Sequence, residues 1–158
     1  MNLKVHFKSE RQNWKTPKAF YQALDSEFDF DFDPCPPQPK FDGLTCSWGD
    51  RNFVNPPYNE IEKWMLKAYR EHKTYGRTVV MLIPSRTDTR WWHDYVMKAK
   101  EIRFIKGRLN FDGHKNSAPF PSCLVVFQCD HLGNGGEPYK NTVCPNCGKD
   151  LVDDRERN

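Results

Sequence analysis

The stretch FVNPPYNEIEKW (Phe53–Trp64) joins a short apolar run to a helix-like pattern through two adjacent prolines. Proline has no N–H to donate and is excluded from central strands and helix interiors, so Pro56 and Pro57 end the run abruptly. Ile61 and Met65 then recur at helical spacing. The stretch therefore predicts a strand, a stiff corner and a helix, which together form one unit of an α/β fold.

Further strands and helices are predicted downstream of this corner. The predicted elements are a helix over 60–72, a buried strand over 78–84 (TVVMLIP), a helix over 88–100, and strands over 101–105 and 122–128. This alternation predicts a layered α/β sheet that is mostly parallel. The last strand pair is predicted to be antiparallel, because a loop rather than a helix connects its two strands.

Upstream of the corner, Thr16 and Pro17 predict the start of a helix, with Thr16 as the N-cap and Pro17 in the first helical position. The segment FDFDFDPCP (28–36) alternates strictly. It predicts a strand with phenylalanines on one face and with Asp29 and Asp31 as solvated positions on the other.

Length and composition favour one domain over residues 14–128, preceded by a polar arm (1–13) and followed by a separate tail (129–158). The mean hydropathy is −0.85, and no apolar run approaches the roughly 20 residues of a membrane-spanning helix. The N-terminus lacks the apolar stretch of a signal peptide, so we expect a cytoplasmic protein. In that compartment six cysteines favour metal ligands or free thiols over disulfides.

Charge is segregated along the chain. Residues 19–62 hold nine acidic and two basic side chains, whereas residues 63–108 hold twelve basic and four acidic ones. A basic block is often only a solvated face, but here aromatic residues lie within it. The combination favours a nucleic-acid surface.

The corner itself offers a specific set of atoms. Asn55 has a side-chain carbonyl acceptor, Pro56 has a backbone carbonyl, and Tyr58 has a flat ring. Two acceptors beside a ring suit an exocyclic amino group on a flat heterocycle such as adenine. Holding both amine hydrogens out of the ring plane would free the nitrogen lone pair for attack. The alternative is that the four residues form only a turn.

The tetrad Asn55–Tyr58 resembles the catalytic motif of amino-group DNA methyltransferases. The wider pattern resembles the phage-type DNA N-6-adenine methyltransferase (Dam) family. The matching stretches, which span about residues 14–128, are WKTPKAFYQAL, DFDPC, FDGLTCSW, FVNPPYNEIEKW, TVVMLIPSRTDTRWWHDYV, IRFIKGRLNF and APFPSCLVVF. The resemblance implies a trimmed Rossmann-like, S-adenosylmethionine-dependent methyltransferase sheet.

The resemblance also implies site residues. A flipped adenine would be held by Asn55, Pro56, Pro57 and Tyr58. The cofactor would be bound by Thr16, Pro17, Asp33, Pro34, Cys35, Asp42 and Asn55. An ordinary Asp-Gly turn is the alternative for Asp42.

One departure from the family pattern lies in the cofactor half. No glycine-rich loop follows Asp33, and only about twenty residues separate it from Asn55, too few for two βα units of roughly thirty residues each. We therefore expect a cofactor half in which strands are missing or replaced by loop.

The basic segment contains three expected phosphate-binding side chains, Arg86, Arg90 and Arg108. Ion pairing with Asp88 is the alternative at the helix start. Trp64 and one of the pair Trp91–Trp92 are expected in the core, and His93 is expected to be structural.

The tail contains the sequence Cys144-Pro-Asn-Cys147, which is typical of zinc knuckles. Cys129 and His131 are the expected remaining ligands, which predicts a zinc-ribbon-like structural site. The single residue between Cys129 and His131 is a flaw, because two to four is the usual spacing. A disordered tail with free thiols is the alternative.

The sequence thus predicts an enzyme that methylates the amino nitrogen of adenine in DNA. A methyltransferase acting on RNA or on a protein amide is one alternative. A non-catalytic, zinc-stapled DNA-binding protein is another. Recognition sequence, strand preference and oligomeric state stay open.

Overall fold

A computed structural model describes residues 14–129. The predicted arm, the tail beyond Cys129 and the expected zinc ligands His131, Cys144 and Cys147 lie outside the described residues. The helices are α1 (Lys18–Phe28), α2 (Ile61–Tyr75) and α3 (Arg90–Asp94), and the strands are β1 (Arg51–Val54), β2 (Thr78–Pro84), β3 (Glu101–Phe104) and β4 (Ser122–Phe127). Single 3-10 turns cover Tyr58–Glu60 and Val96–Lys98.

The four strands form one mixed sheet in the order β1-β2-β4-β3. β1 pairs parallel to β2, and β4 pairs antiparallel to both of its neighbours. The antiparallel last strand is therefore confirmed. The expectation of mostly parallel pairing is wrong, because β4 inserts between β2 and β3, which themselves run in the same direction.

Composition explains why β4 takes the inner position. All six of its residues are buried, whereas β3 (EIRF) alternates with charge and leaves Phe104 70% exposed. An edge strand tolerates polar side chains and a central strand does not. The apolar strand therefore goes inside the sheet although it comes last in the chain.

The core has two layers, one on each face of the sheet. Val79, Met81 and Ile83 of β2 face α2 and α3, whereas Val80 and Leu82 face α1 and the β3–β4 loop. A strand covered on both faces has to be apolar at every position, which accounts for the continuous run TVVMLIP.

The predicted strand over 28–36 is wrong. Phe28 is the last residue of α1, and Asp29 follows in the left-handed conformation (φ 51°), which ends the helix. Only one parallel bridge remains, between Phe32 and Asn52. Phe30 packs in the α1 layer and Phe32 in the opposite layer, so the phenylalanines do not share a face.

Two predicted helix boundaries also move. The helix expected over 88–100 shortens to α3, followed by a 3-10 turn before β3. At the start of α1, Pro17 is the N-cap and makes no side-chain cap. The hydroxyl of Thr16 instead accepts a hydrogen bond from Asn55, 39 residues away along the chain.

A buried charge cluster fastens α2 to the start of β2. The carboxylate of Glu71, only 3% exposed, pairs with Lys67 of the same helix at 2.6 Å and with Arg77. Arg77 also donates to the hydroxyl of Ser47 at 3.2 Å. Because a buried carboxylate is costly without partners, the cluster holds these three segments in one arrangement.

Candidate active site

The corner Asn55–Tyr58 lies at the carboxyl end of β1, directly after the buried Val54. Pro56 is buried and Pro57 is extended (φ −64°, ψ 126°). Neither proline can donate to the sheet, so the strand stops and the chain turns into α2. Asn55 is thereby placed at the carboxyl edge of the sheet, where α/β folds bind ligands.

The Asn55 amide is oriented by the segment just before α1. Its Nδ2 donates to the backbone carbonyl of Trp14 and, at 3.1 Å, to the hydroxyl of Thr16. Because a backbone carbonyl can only accept, the amide nitrogen has to face Trp14. The carbonyl oxygen then points away from Trp14 and lies 3.4 Å from the Tyr58 hydroxyl. The corner therefore presents an acceptor whose direction is set by its neighbours.

The β3–β4 loop holds this orienting segment in place. Asp112 donates its backbone N–H to the carbonyl of Lys15 at 2.9 Å, and the two residues form an antiparallel bridge. The Trp14 indole stacks on His114, with ring centroids 4.3 Å apart and 24° between planes. The direction of the Asn55 amide thus depends on residues nearly sixty positions downstream.

A cavity of about 560 Å³ opens beside the corner. Of the predicted cofactor residues, all but Pro17 line it, namely Thr16, Asp33, Pro34, Cys35, Asp42 and Asn55. Of the predicted catalytic residues, Asn55 and Pro57 line it, whereas Pro56 and Tyr58 are not among the lining residues. The fold therefore brings together side chains from the segment just before α1, the loop over 33–43 and the end of β1.

Asp33 is the most perturbed carboxyl in this wall. Burial raises its pKa to about 6, although the hydrogen bond that it accepts from the Cys35 backbone N–H at 2.9 Å acts in the opposite direction. A carboxylate that is costly to ionise in the free protein is stabilised by a cationic ligand.

The loop over 41–48 forms the facing wall. Asp42 accepts a hydrogen bond from the Leu44 backbone N–H at 2.9 Å, as in an Asp-Gly turn, and it lines the cavity as well. Trp48 donates to the carbonyl of Gly43 at 2.6 Å. A Cβ on Gly43 would lie 2.0 Å from the carbonyl oxygen of Pro34, so only glycine permits this close approach of the two walls.

The side chains of Cys35 and Tyr58, in and beside the site, are protonated at neutral pH. Burial raises the pKa of the Cys35 thiol to about 11, and the nearby Asp33 charge adds to the effect. Burial also raises the pKa of the Tyr58 hydroxyl. At neutral pH neither group is an anion, so neither is an activated nucleophile.

The three predicted DNA-binding arginines are all exposed. Arg86 follows β2, and Arg108 follows β3, so both lie at the same edge of the sheet as Asn55. Arg90 pairs with Asp94 at 3.3 Å rather than with Asp88. Within residues 14–129 no ion pair is formed by Arg86 or Arg108.

The loop that carries Arg86 is ordered by local hydrogen bonds. His93 donates through Nε2 to the carbonyl of Thr87 at 2.8 Å, and the hydroxyl of Thr89 donates to the carbonyl of Arg86 at 2.8 Å. The role of His93 is therefore structural, as expected. Trp91 and Trp92 are both buried, 6% and 3% exposed. Both tryptophans therefore lie in the core, although only one of the two was expected there.

Several cavity residues were not predicted from the sequence. The lining also includes Trp14, Lys15, Lys18, Tyr21, Phe41, Trp64 and Asp112. The position of Trp14 beside Thr16 is a usable signal, since a residue next to a site often contributes its backbone. Asp112 carries no such signal, because only the folded β3–β4 loop brings it to the site.

The metal prediction is tested only in part by the described residues. Cys129 is buried, 7% exposed, just beyond β4. Within residues 14–129 no group of three or more His, Cys, Asp or Glu side chains could hold a metal ion. In that same part of the chain, no helix is long and apolar enough to cross a membrane.

The four-stranded mixed α/β sheet is compatible with a methyltransferase-like fold. Residues 4–129 match the family model described as DNA N-6-adenine-methyltransferase (Dam). The chain belongs to this family.

A curated relative from Haemophilus phage HP1 (strain HP1c1), named DNA N-6-adenine-methyltransferase, is 29% identical to the chain. The alignment covers 77% of this chain and 81% of that protein. No solved structure gives a significant match. The predicted enzyme class, a DNA N-6-adenine methyltransferase, is confirmed.

Proposed function

We propose that the chain transfers a methyl group from S-adenosylmethionine to the amino nitrogen of an adenine flipped out of DNA, with Asn55 and the Pro56 carbonyl as the two amine acceptors. The fixed direction of the Asn55 amide carries this proposal. Trp14 and Thr16 occupy its N–H₂ group. Its carbonyl oxygen accepts from the Tyr58 hydroxyl at 3.4 Å and keeps a second lone pair to accept from a substrate amine.

The cavity residues fit the cofactor. The cavity volume of about 560 Å³ lies within the usual range of small-molecule sites, roughly 300–1,000 Å³. Asp33 supplies a buried carboxylate for a cationic ligand, and Phe41 and Trp64 supply aromatic surface. The buried Nε1 of Trp64 has no hydrogen-bond partner in the described part of the chain.

S-adenosylmethionine, when bound, supplies an activated methyl group on a sulfonium centre. The chain's own contribution is to position and polarise the amine, since Cys35 and Tyr58 are not anions at neutral pH. Asn55 and Pro56 would hold the two amine hydrogens out of the base plane, which would free the nitrogen lone pair to accept the methyl group. The sulfur–methyl bond would break as the nitrogen–methyl bond forms, so that the sulfonium leaves as a neutral thioether and one amine proton passes to solvent. The Tyr58 ring would support the extruded base, and stacking of this kind contributes about 1–3 kcal/mol per base.

The proposed DNA contacts are phosphate contacts from Arg86, Arg90 and Arg108. Their exposure at the carboxyl edge of the sheet, on the side of Asn55, supports this assignment. Arg90 would have to give up its surface pair with Asp94, which costs little because such pairs contribute about 0–1 kcal/mol.

A tritiated methyl transfer assay on unmethylated DNA tests the proposal. Asn55→Ala should lower kcat by about 100-fold, comparable to losing one preorganised group that contacts the reacting atoms. Asn116→Ala, at an exposed asparagine outside the cavity lining, is the matched control and should keep full activity. Equal label transfer by the Asn55→Ala protein would remove Asn55 from the mechanism.

Calorimetry with S-adenosylmethionine separates the enzyme from a DNA-binding protein that has lost its cofactor. We expect saturable binding by the full chain. Absence of binding would contradict the proposed cofactor site. We also propose that the tail holds a structural zinc ion, with Cys129, His131, Cys144 and Cys147 as its ligands.

A further inference from the structure

The bridge between the segment just before α1 and the β3–β4 loop brings two opposite charges together. Lys15 and Asp112 lie directly opposite each other in this antiparallel bridge, and the Asp112 N–H donates to the Lys15 carbonyl at 2.9 Å. Residues opposed in this way have their side chains on the same face, with Cβ atoms about 4.5–5.5 Å apart. An ammonium and a carboxylate are therefore neighbours on one surface.

Neither charge is neutralised by an ion pair. Among the residues that the structure describes, neither Lys15 nor Asp112 forms one, although the two face each other. Both side chains are exposed, and both residues line the cavity beside Asn55. A cation and an anion that lie side by side in this way can each bind the opposite charge of one ligand. An α-amino acid fits such a pair, because it has an ammonium and a carboxylate on the same carbon.

The opposed charges and the loop over 33–43 lie on different sides of Asn55. That loop follows the bridge that joins Phe32 to β1, at the outer edge of the sheet. Asp112 comes instead from the loop between β3 and β4, and Asn55, at the end of β1, lies between the two. One side of the cavity is therefore aromatic, with Phe41 stacked on Phe32 at 5.5 Å between ring centroids. The other side has the opposed charges.

We propose that Lys15 and Asp112 form the subsite for the amino-acid end of S-adenosylmethionine, in which Lys15 pairs with the α-carboxylate and Asp112 with the α-ammonium. This inference rests on the proposed function, since it concerns how the same cavity holds the methyl donor. The donor has an uncharged nucleoside on one arm of its sulfonium and a zwitterion on another arm. Placing the nucleoside on the aromatic side and the zwitterion on the charged side leaves the sulfonium beside Asn55.

Such a subsite would link binding of the donor to the direction of the Asn55 amide. Lys15 belongs to the segment that orients Asn55, and Asp112 belongs to the loop that holds this segment in place. A zwitterion bound by both side chains would add two ionic contacts to the bridge between them. The methyl donor would thereby strengthen the attachment on which the direction of the acceptor depends.

Calorimetry of the full chain with three related ligands tests the subsite. S-adenosylhomocysteine has the whole amino-acid end without the sulfonium charge, decarboxylated S-adenosylmethionine lacks only the carboxylate, and methylthioadenosine lacks the whole amino-acid end. Asp112→Asn should bind S-adenosylhomocysteine about tenfold more weakly than wild type, since it loses a hydrogen bond between charged groups. The same variant should bind methylthioadenosine as wild type does. Lys15→Met should also bind S-adenosylhomocysteine about tenfold more weakly, with unchanged affinity for the decarboxylated ligand.

The variants are chosen to separate a ligand contact from a structural role. Asp112→Asn keeps its backbone N–H and hence the bridge to Lys15, so unchanged binding of methylthioadenosine reports an intact cavity. Asp88→Asn is the matched control, because Asp88 is exposed and lies outside the cavity lining. It should bind all three ligands as wild type does.

Two outcomes would overturn the subsite and leave the proposed function standing. One is equal, saturable binding of S-adenosylhomocysteine by wild type and Asp112→Asn, which would mean that the carboxylate is only a solvated surface charge. The other is an equal loss of affinity for S-adenosylhomocysteine and methylthioadenosine, which would assign Asp112 a structural role. Failure of wild type to bind either S-adenosylmethionine or S-adenosylhomocysteine would overturn both the subsite and the proposed cofactor site.

Discussion

At the scale of single residues, Asp33 is a carboxyl whose burial favours its neutral form. Its pKa of about 6 in the folded chain lies above the value of about 3.9 for an unperturbed aspartate. The stability that this raised pKa contributes is fully present below about pH 4 and is lost as the pH rises through about 6. At neutral pH the ionised residue therefore destabilises the protein, as is common at binding sites.

Asp33→Asn should accordingly stabilise the chain while weakening cofactor binding. At pH 8 we expect the free energy of unfolding to rise by about 1–2 kcal/mol, less than full linkage because the residue is partly solvated. The measurement is urea denaturation at pH 8 and again at pH 4, where the difference should vanish. If the variant were less stable than wild type at pH 8, the ionised Asp33 carboxylate would not destabilise the fold.

The same substitution tests the charge complementarity of the cofactor site. Wild-type affinity for S-adenosylmethionine should be constant above about pH 7 and fall up to tenfold for each unit below about 6, as Asp33 takes up a proton. The Asp33→Asn variant should bind S-adenosylmethionine more weakly than wild type at pH 8, and its affinity should not fall below pH 6. Calorimetric titrations from pH 5 to 8 check both, and parallel profiles in the two proteins would exclude Asp33 as the titrating group.

Thr16 is a positioning residue for Asn55. Thr16→Val removes the hydroxyl that accepts from the Asn55 amide, and one such hydrogen bond contributes about 0.5–1.5 kcal/mol. We expect kcat to fall about threefold to tenfold and Thr16→Ser to restore it. Steady-state methylation kinetics give the comparison, and equal kcat values for the valine and serine variants would show that the hydroxyl has no orienting role.

At the scale of elements, the attachment of α2 to β2 rests on the carboxylate of Glu71. Glu71→Gln leaves Lys67 and Arg77 without their anion and should lower the free energy of unfolding by roughly 3 kcal/mol. Glu62→Gln, on the exposed face of the same helix, should change it by no more than about 0.5 kcal/mol. Thermal and urea unfolding measure the difference, and similar values for both variants would show that the cluster contributes no stability.

Another element-scale relation links the first described residues to the β3–β4 loop. Trp14 and Lys15 are held by His114 and Asp112, and Trp14 in turn orients Asn55. The direction of the Asn55 amide thus depends on contacts between two irregular segments. No hydrophobic period marks such contacts in a sequence, because the segments are neither helix nor strand.

At the scale of the whole molecule, the two oppositely charged halves of the sequence both contribute side chains to the carboxyl edge of the sheet. The acidic half contributes Asp33 and Asp42 to the cavity, and the basic half contributes the exposed Arg86 and Arg108 at the same sheet edge. A DNA strand bound there would place its phosphates against the arginines and one base against Asn55.

This arrangement predicts a salt dependence that individual arginines control. Arg86→Gln and Arg108→Gln should each reduce the slope of log K against log salt by about one, since each removes one phosphate contact. Arg70→Gln, at an exposed arginine on α2, should leave the slope unchanged. DNA-binding titrations at several salt concentrations provide the slopes, and an equal loss in all three variants would indicate a diffuse field rather than defined contacts.

Local sequence patterns were enough to predict several of the helices and strands. β2 and α2 were predicted closely, because an apolar run or an amphipathic period is a property of neighbouring residues. The corner Asn55–Tyr58 was also recognisable, since its chemistry lies within four consecutive residues. Seven of the nineteen residues that line the cavity, including Asp33 and Asp42, were predicted through the family resemblance.

Other features depend on long-range packing and are visible only in the folded chain. These are the place of β4 inside the sheet, the replacement of a strand by a single bridge at Phe32, and the turn of Thr16 towards Asn55. The bridge that brings Lys15 opposite Asp112 belongs with them. Each of these features depends on which distant groups pack or form hydrogen bonds with one another. The free energy of those contacts is gained only when the chain folds, so no local sequence pattern records it.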